Sequence, residues 1–386
     1  MPASPSVPTA GPAWPQRTLA AIGLDLAPAA DTSAVTKGIY ALLVFVPLAV
    51  AVHFLNIGGF WLFLTAAAAI IPLAKILSTA TEELSHKVGA GVGGLLSATF
   101  GNAVEMIIAF FALQAGLYEV VQASIAGSIL GNVLFVLGLS MFVGGLGREK
   151  QTFNRTAAGS AATQLTLATV GLFIPAAFVL TTPASLLTTD LKEELSLGVA
   201  GFLLLGYIAQ LLFNLRTHKH LYQEEGGTAE AGAGWSRRHA TLVLLGTTIV
   251  VAVVAELLVA GLEYLTTTLH FSELFVGVVL VALVGGAAES VTAVTLASKN
   301  QMPLAVNIVM SSTLQIALFV APVLVLLGFA IGRPLDLNFN LFVIAAIVMT
   351  MLIANTITHD GESTWFEGVQ LLIAYAILAV AFFFHP

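Results

Sequence analysis

Long apolar segments separated by short polar loops make up the chain from residue 37 onward. Each segment has about 18–28 residues, which is enough for a helix to cross the hydrocarbon core of a bilayer. The approximate limits of the eleven segments are 37–57, 59–80, 88–115, 119–147, 156–180, 195–215, 240–265, 272–298, 302–329, 338–356 and 364–385. The pattern predicts an all-α polytopic membrane protein with eleven transmembrane helices.

The basic residues lie mainly in alternate loops. If the N-terminal tail marks one side of the membrane, that side collects twelve of them: Arg17, Lys37, Lys75, Lys87, Arg148, Lys150, Arg155, Arg216, Lys219, Arg237, Arg238 and Lys299. The other side has only Lys192 and Arg333. Because cytoplasmic loops carry an excess of lysine and arginine, this asymmetry predicts a cytoplasmic N-terminus and, with eleven spans, an external C-terminus.

Two polar stretches lie outside the predicted spans. Residues 1–36 are rich in Pro, Ala, Ser and Thr, and we expect a disordered cytoplasmic tail there rather than a signal peptide. Residues 216–239 form the only sizeable polar loop, whose glycines predict a flexible cytoplasmic linker. Its glutamates leave a weak regulatory cation sensor as the alternative. A dedicated metal site at His218 and His220 is disfavoured, because no further ligands accompany them at fixed spacing.

A carboxylate lies inside the third apolar segment, where Leu95–Ala112 reads LLSATFGNAVEMIIAFFA. An acid at the centre of a membrane helix costs roughly 2.5–3.5 kcal/mol on insertion scales, so Glu105 is expected to be functional. Gly101 and Asn102 precede it, and both residues weaken a helix. We therefore expect the backbone to be bent or broken at this point.

The same arrangement returns 184 residues later, where Gly285 and Gly286 precede Glu289. The same offset relates Gly127, Ser128 and the run 133–136 to Ser311, Ser312 and the run 317–320. Five spans per unit is an odd number, so the second unit enters the membrane from the opposite side. We predict one extra N-terminal helix at 37–57, followed by inverted-topology five-helix repeats at 58–215 and 240–386 that the 216–239 linker connects.

Two buried carboxylates on a repeated frame predict a cation site. The candidate ion-binding and proton-binding residues are Glu105, Glu289, Asn102, Gly101, Gly285, Ser128, Ser312 and Gln315, with the two glutamates as metal ligands. Their oxygen atoms suit a hard cation such as Ca²⁺. Burial and mutual repulsion favour protonated acids when the metal is absent, so metal and protons would compete. For the serines and the glutamine, close helix packing is the alternative role.

Further acids lie towards the membrane edges. Glu82 ends the second helix near the cytoplasm, and Glu256 and Glu263 share one face in the outward half of the seventh helix. We expect them to attract cations at opposite mouths of a cation path. The alternative is that they are simply solvated at the interface.

The composition excludes an ordinary soluble protein. The chain is 58% hydrophobic and 9% charged, with a mean hydropathy of +0.96, whereas soluble domains carry roughly 25% charged residues. A net charge of −7 does not favour binding to nucleic acid. The absence of cysteine excludes disulfides and thiolate metal sites. The lipid bilayer is the expected partner, no cofactor is expected, and the sequence leaves homo-oligomer formation open.

Several motifs occur in order along nearly the whole chain: EELSHKVGAGVGGLLSATFGNAVEMI, VQASIAGSILGN, VALVGGAAESVTAV, SSTLQIALFVAPVLVL and DGESTWFEGVQLL. Over residues 37–385 the sequence resembles the calcium/proton antiporters of the cation/proton exchanger family, within the calcium/cation antiporter superfamily. The resemblance implies a Ca²⁺/H⁺ exchanger with eleven spans, whose essential acids fall at Glu105 and Glu289. It also matches the family's acids on helices two and seven to Glu82 and Glu256.

The second motif departs from the family pattern. That motif usually reads GNAAEH, and here Gly286 replaces the asparagine and Ser290 the histidine. The departures bear on ion selectivity and proton coupling rather than on the fold. The proline signature of sodium/calcium exchangers is not found around the acids, which disfavours sodium coupling.

The leading hypothesis is a secondary active antiporter in a prokaryotic plasma membrane that exchanges cytoplasmic Ca²⁺ for external protons by alternating access. An antiporter selective for a monovalent or other divalent cation is the nearest alternative. Two alternatives come from different classes: an intramembrane hydrolase that uses the paired carboxylates, and a passive cation channel. Proton-coupled flux distinguishes the antiporter from both.

Overall fold

Helices account for nearly all regular structure in the computed structural model of the protein, which describes residues 34–217 and 234–385. The predicted tail before residue 34 and most of the predicted linker, residues 218–233 with His218 and His220, lie outside these ranges. Within them, the only strands are β1 (Gln151–Thr152) and β2 (Glu362–Ser363), which pair antiparallel. The described chain is thus all-α in class except for one two-residue ladder.

The helices follow the predicted apolar segments closely. In chain order they are α1 (Ala34–Ala41), α2 (Phe45–Phe54), α3 (Gly59–Val88), α4 (Ala90–Phe100), α5 (Ala103–Gln114), α6 (Tyr118–Leu130), α7 (Leu137–Gly145), α8 (Arg155–Thr181), α9 (Thr189–Leu212), α10 (Arg237–Thr267), α11 (Glu273–Phe275), α12 (Ala282–Gly285), α13 (Ala287–Ser298), α14 (Met302–Gln315), α15 (Ala321–Ala330), α16 (Leu341–Ile357) and α17 (Trp365–Phe384). A 3₁₀ turn, Leu42–Val44, joins α1 to α2, and π-helical turns follow α6, α9, α11 and α14 at Gly131–Val136, Phe213–Thr217, Val276–Val281 and Ile316–Val320.

Eight helical segments among the described residues are long and apolar enough to cross a membrane. A ninth is obtained if the bent pair Glu273–Gly285 and Ala287–Ser298, which meet at 62°, counts as one span. The other two predicted segments contain the shorter apolar helices α5 and α16. Helix α3 also runs to Val88, beyond its predicted end at residue 80, so Glu82 lies within a helix rather than at its end.

Two helices break where glycine predicts a weak backbone. One break separates α4 from α5 at Gly101 and Asn102, and the other separates α12 from α13 at Gly286. Helices α5 and α13 each have 12 residues, and each has a glutamate in its first turn. The segment from α6 to α7 and the segment from α14 to α15 both contain a central π-helical turn and begin 184 residues apart. The internal sequence correspondence therefore extends to local backbone structure.

Polar side chains cap several helices at their membrane ends. The first N–H groups of a helix lack partners within it, and a side-chain oxygen just before the helix can accept from one of them. The residues that do so are Asn154, Thr188, Ser236, Ser272, Asn340 and Thr364. At the start of α17, Glu367 completes a capping box with Thr364. These caps fix where the spans end and the loops begin.

Close packing in the bundle depends on glycine at a few positions. Helices α3 and α10 run antiparallel, and a Cβ atom at Gly261 would lie 2.6 Å from the backbone nitrogen of Phe63. At Gly127, on α6, a Cβ atom would overlap the backbone of Val278 in the π-helical turn beside it. Backbone cannot move aside as a flexible side chain can, so these crossings require glycine.

Loop contacts join several spans at their ends. At one end of the bundle these are β1 with β2, the Arg148 guanidinium with the carbonyl of Ser298 (3.0 Å), and the backbone N–H of Trp235 with the carboxylate of Glu83 (3.0 Å). At the other end, Gln122 donates to the carboxylate of Asp336 (2.9 Å) and the backbone N–H of Leu337 donates to Ser196 (3.0 Å). Beside the ladder, the hydrogen bond from Lys150 to Glu362 (2.6 Å) raises the pKa of the exposed Lys150.

Replacement of Gly127 should reveal this close crossing. We expect Gly127→Ala to lower the free energy of unfolding by about 1–3 kcal/mol, because the added methyl group overlaps backbone. Gly246→Ala in α10 is the matched control: its Cβ would enter open space, so stability should stay the same or rise by up to about 1 kcal/mol. Thermal unfolding of the purified protein in detergent measures both changes, and equal melting temperatures for the two variants would contradict the packing.

Candidate cation site

The two intramembrane acids occupy equivalent places in the fold. Glu105 is the third residue of α5 and Glu289 is the third residue of α13, so each carboxyl group lies at the N-terminus of a half-helix. Both side chains are half-buried. The N-terminus of a helix carries partial positive charge and stabilises a nearby carboxylate. The helix breaks thus offset part of the cost of placing an acid within the membrane.

The two breaks also face each other. A Cβ atom at Gly285 would lie 2.9 Å from Cγ of Glu105, so the chain just before one half-helix packs directly against the acid of the other. Oε1 of Glu105 lies 3.6 Å from the same Cβ position, four residues before Glu289. Two carboxyl groups in this arrangement repel each other unless protons or a cation lie between them.

A hydrogen-bonded network surrounds Glu289. The hydroxyl of Ser312, on α14, donates to the carboxylate of Glu289 and also lies 3.2 Å from Oδ1 of Asn102. The amide of Asn132 donates to the same hydroxyl at 3.1 Å. Asn102 in turn donates to Oε1 of Gln315 at 2.5 Å. Oxygen atoms from four parts of the chain therefore meet in one cluster: the break before α5, the π-helical turn after α6, α13 and α14.

Asn102, the residue just before α5, links α5 to α14. Asn102 occupies the position before α5 where a side chain normally caps the helix, yet its side chain makes no such hydrogen bond and reaches α14 instead. The corresponding residue before α13 is Gly286, which has no side chain to do this. Oδ1 of Asn132 lies 3.8 Å, and Oε1 of Glu105 3.9 Å, from the place where a Cβ atom of residue 286 would be. Two side-chain oxygen atoms thus border the space that an asparagine there would enter.

The structure brings together seven of the eight candidate binding residues. Glu105, Glu289, Asn102, Ser312, Gln315 and Gly285 are connected by the contacts above. Gly101 joins them, because a Cβ atom there would lie 3.3 Å from Oε1 of Gln315. Ser128 is buried in α6, but within the described residues its hydroxyl makes no hydrogen bond to this cluster. The repeat offset alone therefore does not give Ser128 the contacts of Ser312.

The predicted path acids stand apart from the cluster. Glu82, Glu256 and Glu263 are all exposed, and none of their side chains makes a hydrogen bond or ion pair within residues 34–217 and 234–385. The neighbouring Glu83 is the acid that makes contacts near this end of α3: it accepts from the backbone N–H of Trp235 and lies 4.0 Å from Lys87.

Sequence reasoning missed two sets of polar residues. Asn132 belongs to the cluster, and the available signal was an amide directly after Gly131 inside an otherwise apolar span. At the predicted external end, Glu119 and Gln122 line a cavity of about 410 Å³, and Gln122 is bonded to Asp336. No periodicity linked Glu119, Gln122 and Asp336, because the first two lie at the start of α6 and the third lies in a distant loop.

The site offers hard oxygen ligands. It contains two carboxylates, two carboxamides from asparagine, one from glutamine and a hydroxyl, and these are donors that Ca²⁺ prefers. The described residues contain no group of three or more His, Cys, Asp or Glu that could hold a metal ion. Any cation here would therefore be coordinated by two acids and by neutral oxygens, a set that suits a transported ion better than a permanently held one.

Comparison with known proteins relates the chain to ion exchangers over most of its length. The family model described as "Sodium/calcium exchanger protein" matches residues 58–216 and 239–384. The Ca²⁺/H⁺ antiporter of Synechocystis sp. is 44% identical over 367 residues, covering 91% of this chain and 98% of that protein. The Ca²⁺/H⁺ antiporter ChaA of Bacillus subtilis is 43% identical over 342 residues, covering 88% and 96%.

Solved structures show the same fold. The crystal structure of the Ca²⁺/H⁺ antiporter protein YfkE superposes with a TM-score of 0.77 at 40% identity, covering 90% of this chain and all of that one. The crystal structure of the H⁺/Ca²⁺ exchanger CAX gives a TM-score of 0.68 at 14% identity, covering 91% and 92%. The helical membrane architecture described above is therefore that of these exchangers.

Two equivalent serines should differ in their effect on cation binding. We expect Ser312→Ala to weaken Ca²⁺ binding about tenfold or more, since hydrogen bonds to charged groups contribute roughly 1.5–3 kcal/mol. Ser128→Ala, its counterpart at the same repeat position, should change the affinity much less because Ser128 is outside the network. Titration calorimetry of the purified variants measures both constants, and an equal loss in the two would show that the network does not hold the cation.

Proposed function

The chain belongs to the sodium/calcium exchanger protein family, and we propose that it is a secondary active transporter that exchanges cytoplasmic Ca²⁺ for external protons. The observation that carries this proposal is the convergence of Glu105 and Glu289 at two facing helix breaks, inside one shell of neutral oxygens. The relatives at 43–44% identity are antiporters named for Ca²⁺ and H⁺, which are transporters rather than enzymes. The names of these relatives support Ca²⁺, and not a monovalent cation, as the transported ion.

Exchange follows because Ca²⁺ and protons compete for the same two acids. A divalent cation between Glu105 and Glu289 neutralises both charges, and two protons do the same by converting both groups to neutral acids. The site can hold either the metal or the protons in a form that the low-dielectric interior tolerates. An empty, doubly charged site is the state that burial disfavours most. Movement of the loaded site across the membrane therefore exchanges one cargo for the other.

Eleven spans and an inverted repeat account for alternating access to the cation site in this proposal. The bent pair at Glu273–Gly285 and Ala287–Ser298, together with the short helices α5 and α16, supplies the spans that length alone does not identify. The family match divides at residues 216 and 239, where the two proposed five-helix repeats meet the linker. Because the two halves are related by inversion, exchanging their conformations would give two states of the protein. One state would open the site to the cytoplasm and the other to the outside.

Contacts between loops and helix ends support this topology. The contacts described above each join two parts of the chain that are separated by an even number of proposed spans, as two loops on one side of the membrane must be. With the arginine- and lysine-rich loops inside, the N-terminus is cytoplasmic and the C-terminus external. A prokaryotic plasma membrane is the proposed location, and the bacterial relatives support it.

The exposed acids form the outer parts of the cation path in this proposal. Glu82 lies towards the cytoplasmic end of α3, and Glu256 and Glu263 lie in the outward half of α10. Helices α3 and α10 pack against each other along the bundle. Acids at opposite ends of such a pair raise the local cation concentration at each mouth without holding the ion tightly.

Neutralising either central acid should stop exchange. We expect Glu105→Gln and Glu289→Gln each to reduce proton-driven ⁴⁵Ca²⁺ uptake into everted vesicles or proteoliposomes by at least about a hundredfold, because one carboxylate cannot balance a divalent charge. Glu194→Gln, at an exposed acid in the first turns of α9, is the matched control and should retain full activity. Uptake that survives both central substitutions would refute the site, and flux without proton movement would indicate a channel.

Proton competition also fixes the sign of the pH dependence. As pH rises, fewer protons occupy the two acids, so the apparent affinity for Ca²⁺ should increase by roughly tenfold per pH unit for each proton displaced. Initial rates of ⁴⁵Ca²⁺ uptake at several external Ca²⁺ concentrations and pH values give this slope. A pH-independent affinity would mean that the metal and the protons do not share the site.

A further inference from the structure

A second polar cavity lies beside the cation site, between the first turns of α8, the last turns of α9 and the first three turns of α14. The cavity leaves about 50 Å³ for the centres of water molecules, which is room for about four of them. Its polar lining residues are Asn154, Gln164, Gln210, Asn214, Asn307 and Ser311. All three helices reach it with the ends that connect to the proposed cytoplasmic loops.

Three amide oxygens in this lining are buried and unpartnered. Oε1 of Gln164, Oε1 of Gln210 and Oδ1 of Asn214 are each buried, and none accepts a hydrogen bond within the described residues. Of these three amides, only that of Gln164 donates a hydrogen bond within the same residues, a long one of 3.4 Å to Ser160. A buried acceptor without a partner is costly, and because all three side chains line the cavity, rotation of their amide groups would bring these oxygens to water there.

The wall formed by α14 links this cavity to the cation site. Ser311 and Leu314 line the cavity, while Ser312 and Gln315 on the same helix belong to the cation cluster. Gln315 lies one helical turn after Ser311, so the two side chains are neighbours on the helix surface. Polar groups therefore continue from the cytoplasmic end of the cavity to the network around Glu289.

The charges around the cavity suit water and not Ca²⁺. None of its lining residues is charged, and the ionisable residues next to the lining in sequence, Arg155 beside Asn154 and Arg216 near Asn214, are basic and exposed. A divalent cation binds carboxylates and is repelled by guanidinium groups. Water needs only neutral donors and acceptors, and a side-chain amide presents both.

We propose that this amide-lined cavity holds a water cluster that relays protons between the cytoplasm and the acids of the cation site, apart from the path taken by Ca²⁺. In the relay each water forms one O–H bond as it accepts a proton on one side and breaks another as it releases a proton on the other side, so the bonds balance and no metal ion needs to enter the cavity. The inference rests on the proposed function, since it divides the two substrates of that exchange between two routes.

A comparison of two modes of transport tests whether protons and Ca²⁺ take separate routes. Ca²⁺/H⁺ exchange requires proton transfer, whereas exchange of ⁴⁵Ca²⁺ for unlabelled Ca²⁺ does not. We expect the triple variant Gln164→Leu, Gln210→Leu and Asn214→Leu to slow Ca²⁺/H⁺ exchange about tenfold relative to Ca²⁺/Ca²⁺ exchange in proteoliposomes, and each single variant to do so less. Asn355→Leu, which removes a half-buried amide of α16 that is bonded to Thr166 and Met351, is the control and should leave the ratio unchanged.

Two results of that experiment would overturn the inference. An equal loss of both modes would mean that the amides serve packing, and a selective loss of Ca²⁺/Ca²⁺ exchange would mean that the cavity conducts the metal. A wild-type protein without either mode would instead reject the proposed function itself.

A labelling experiment tests the cavity even if the triple variant does not fold. The chain has no cysteine, so Ser311→Cys introduces a single thiol. We expect this thiol to react from the cytoplasmic side with a charged, membrane-impermeant methanethiosulfonate, because water in the cavity allows the thiolate to form. Ile377→Cys, on the exposed face of α17, is the lipid-facing control and should stay unlabelled. Protection of Ser311→Cys equal to that of the control would refute a hydrated cavity.

Discussion

Two carboxyl groups held close together inside a membrane impose the condition that the rest of this structure satisfies. A charge in hydrocarbon is costly, and two like charges near each other are more so. The fold offsets part of this cost with two half-helix N-termini and a shell of amide and hydroxyl groups. Glycine is present where the backbone approaches an acid closely. Two ionised carboxylates would leave this shell with a double negative charge, which a divalent cation or two protons would balance.

The internal repeat supplies the frame, but the site on it is not symmetric. Helices α5 and α13 have the same length and place a glutamate at the same position. Glu289 is bonded to Ser312, while the equivalent Ser128 makes no bond to the cluster within the described residues. Asn102 links two helices, and Gly286 at the equivalent place leaves a space that Asn132 borders. The two acids therefore have different surroundings.

Polar residues away from the acids also depend on the fold for their surroundings. Spans that end in capped helices and paired loops hold the bundle at both membrane faces. Between them, buried amides of α8, α9 and the π-helical turn after α9 line a cavity. In an apolar environment such groups persist only where something satisfies them. A transporter that moves two substrates of different chemistry has use for two kinds of polar surface.

The sequence alone determined the class of protein, the limits of most spans, the two helix breaks and the two central acids. These features are local: apolar length, glycine next to asparagine, and an acid in an apolar run are all visible in one window of the chain. The repeat offset predicted the same role for Ser312 and Ser128, whereas of the two only Ser312 is hydrogen-bonded to the cluster within the described residues. Contacts between helices decided that difference, and also brought in Asn132 and the amide-lined cavity. Which face of a helix meets which neighbour depends on packing across residues about 140 to 210 positions apart, as in the bonds of Asn102, Asn132 and Ser196, and no local pattern records it.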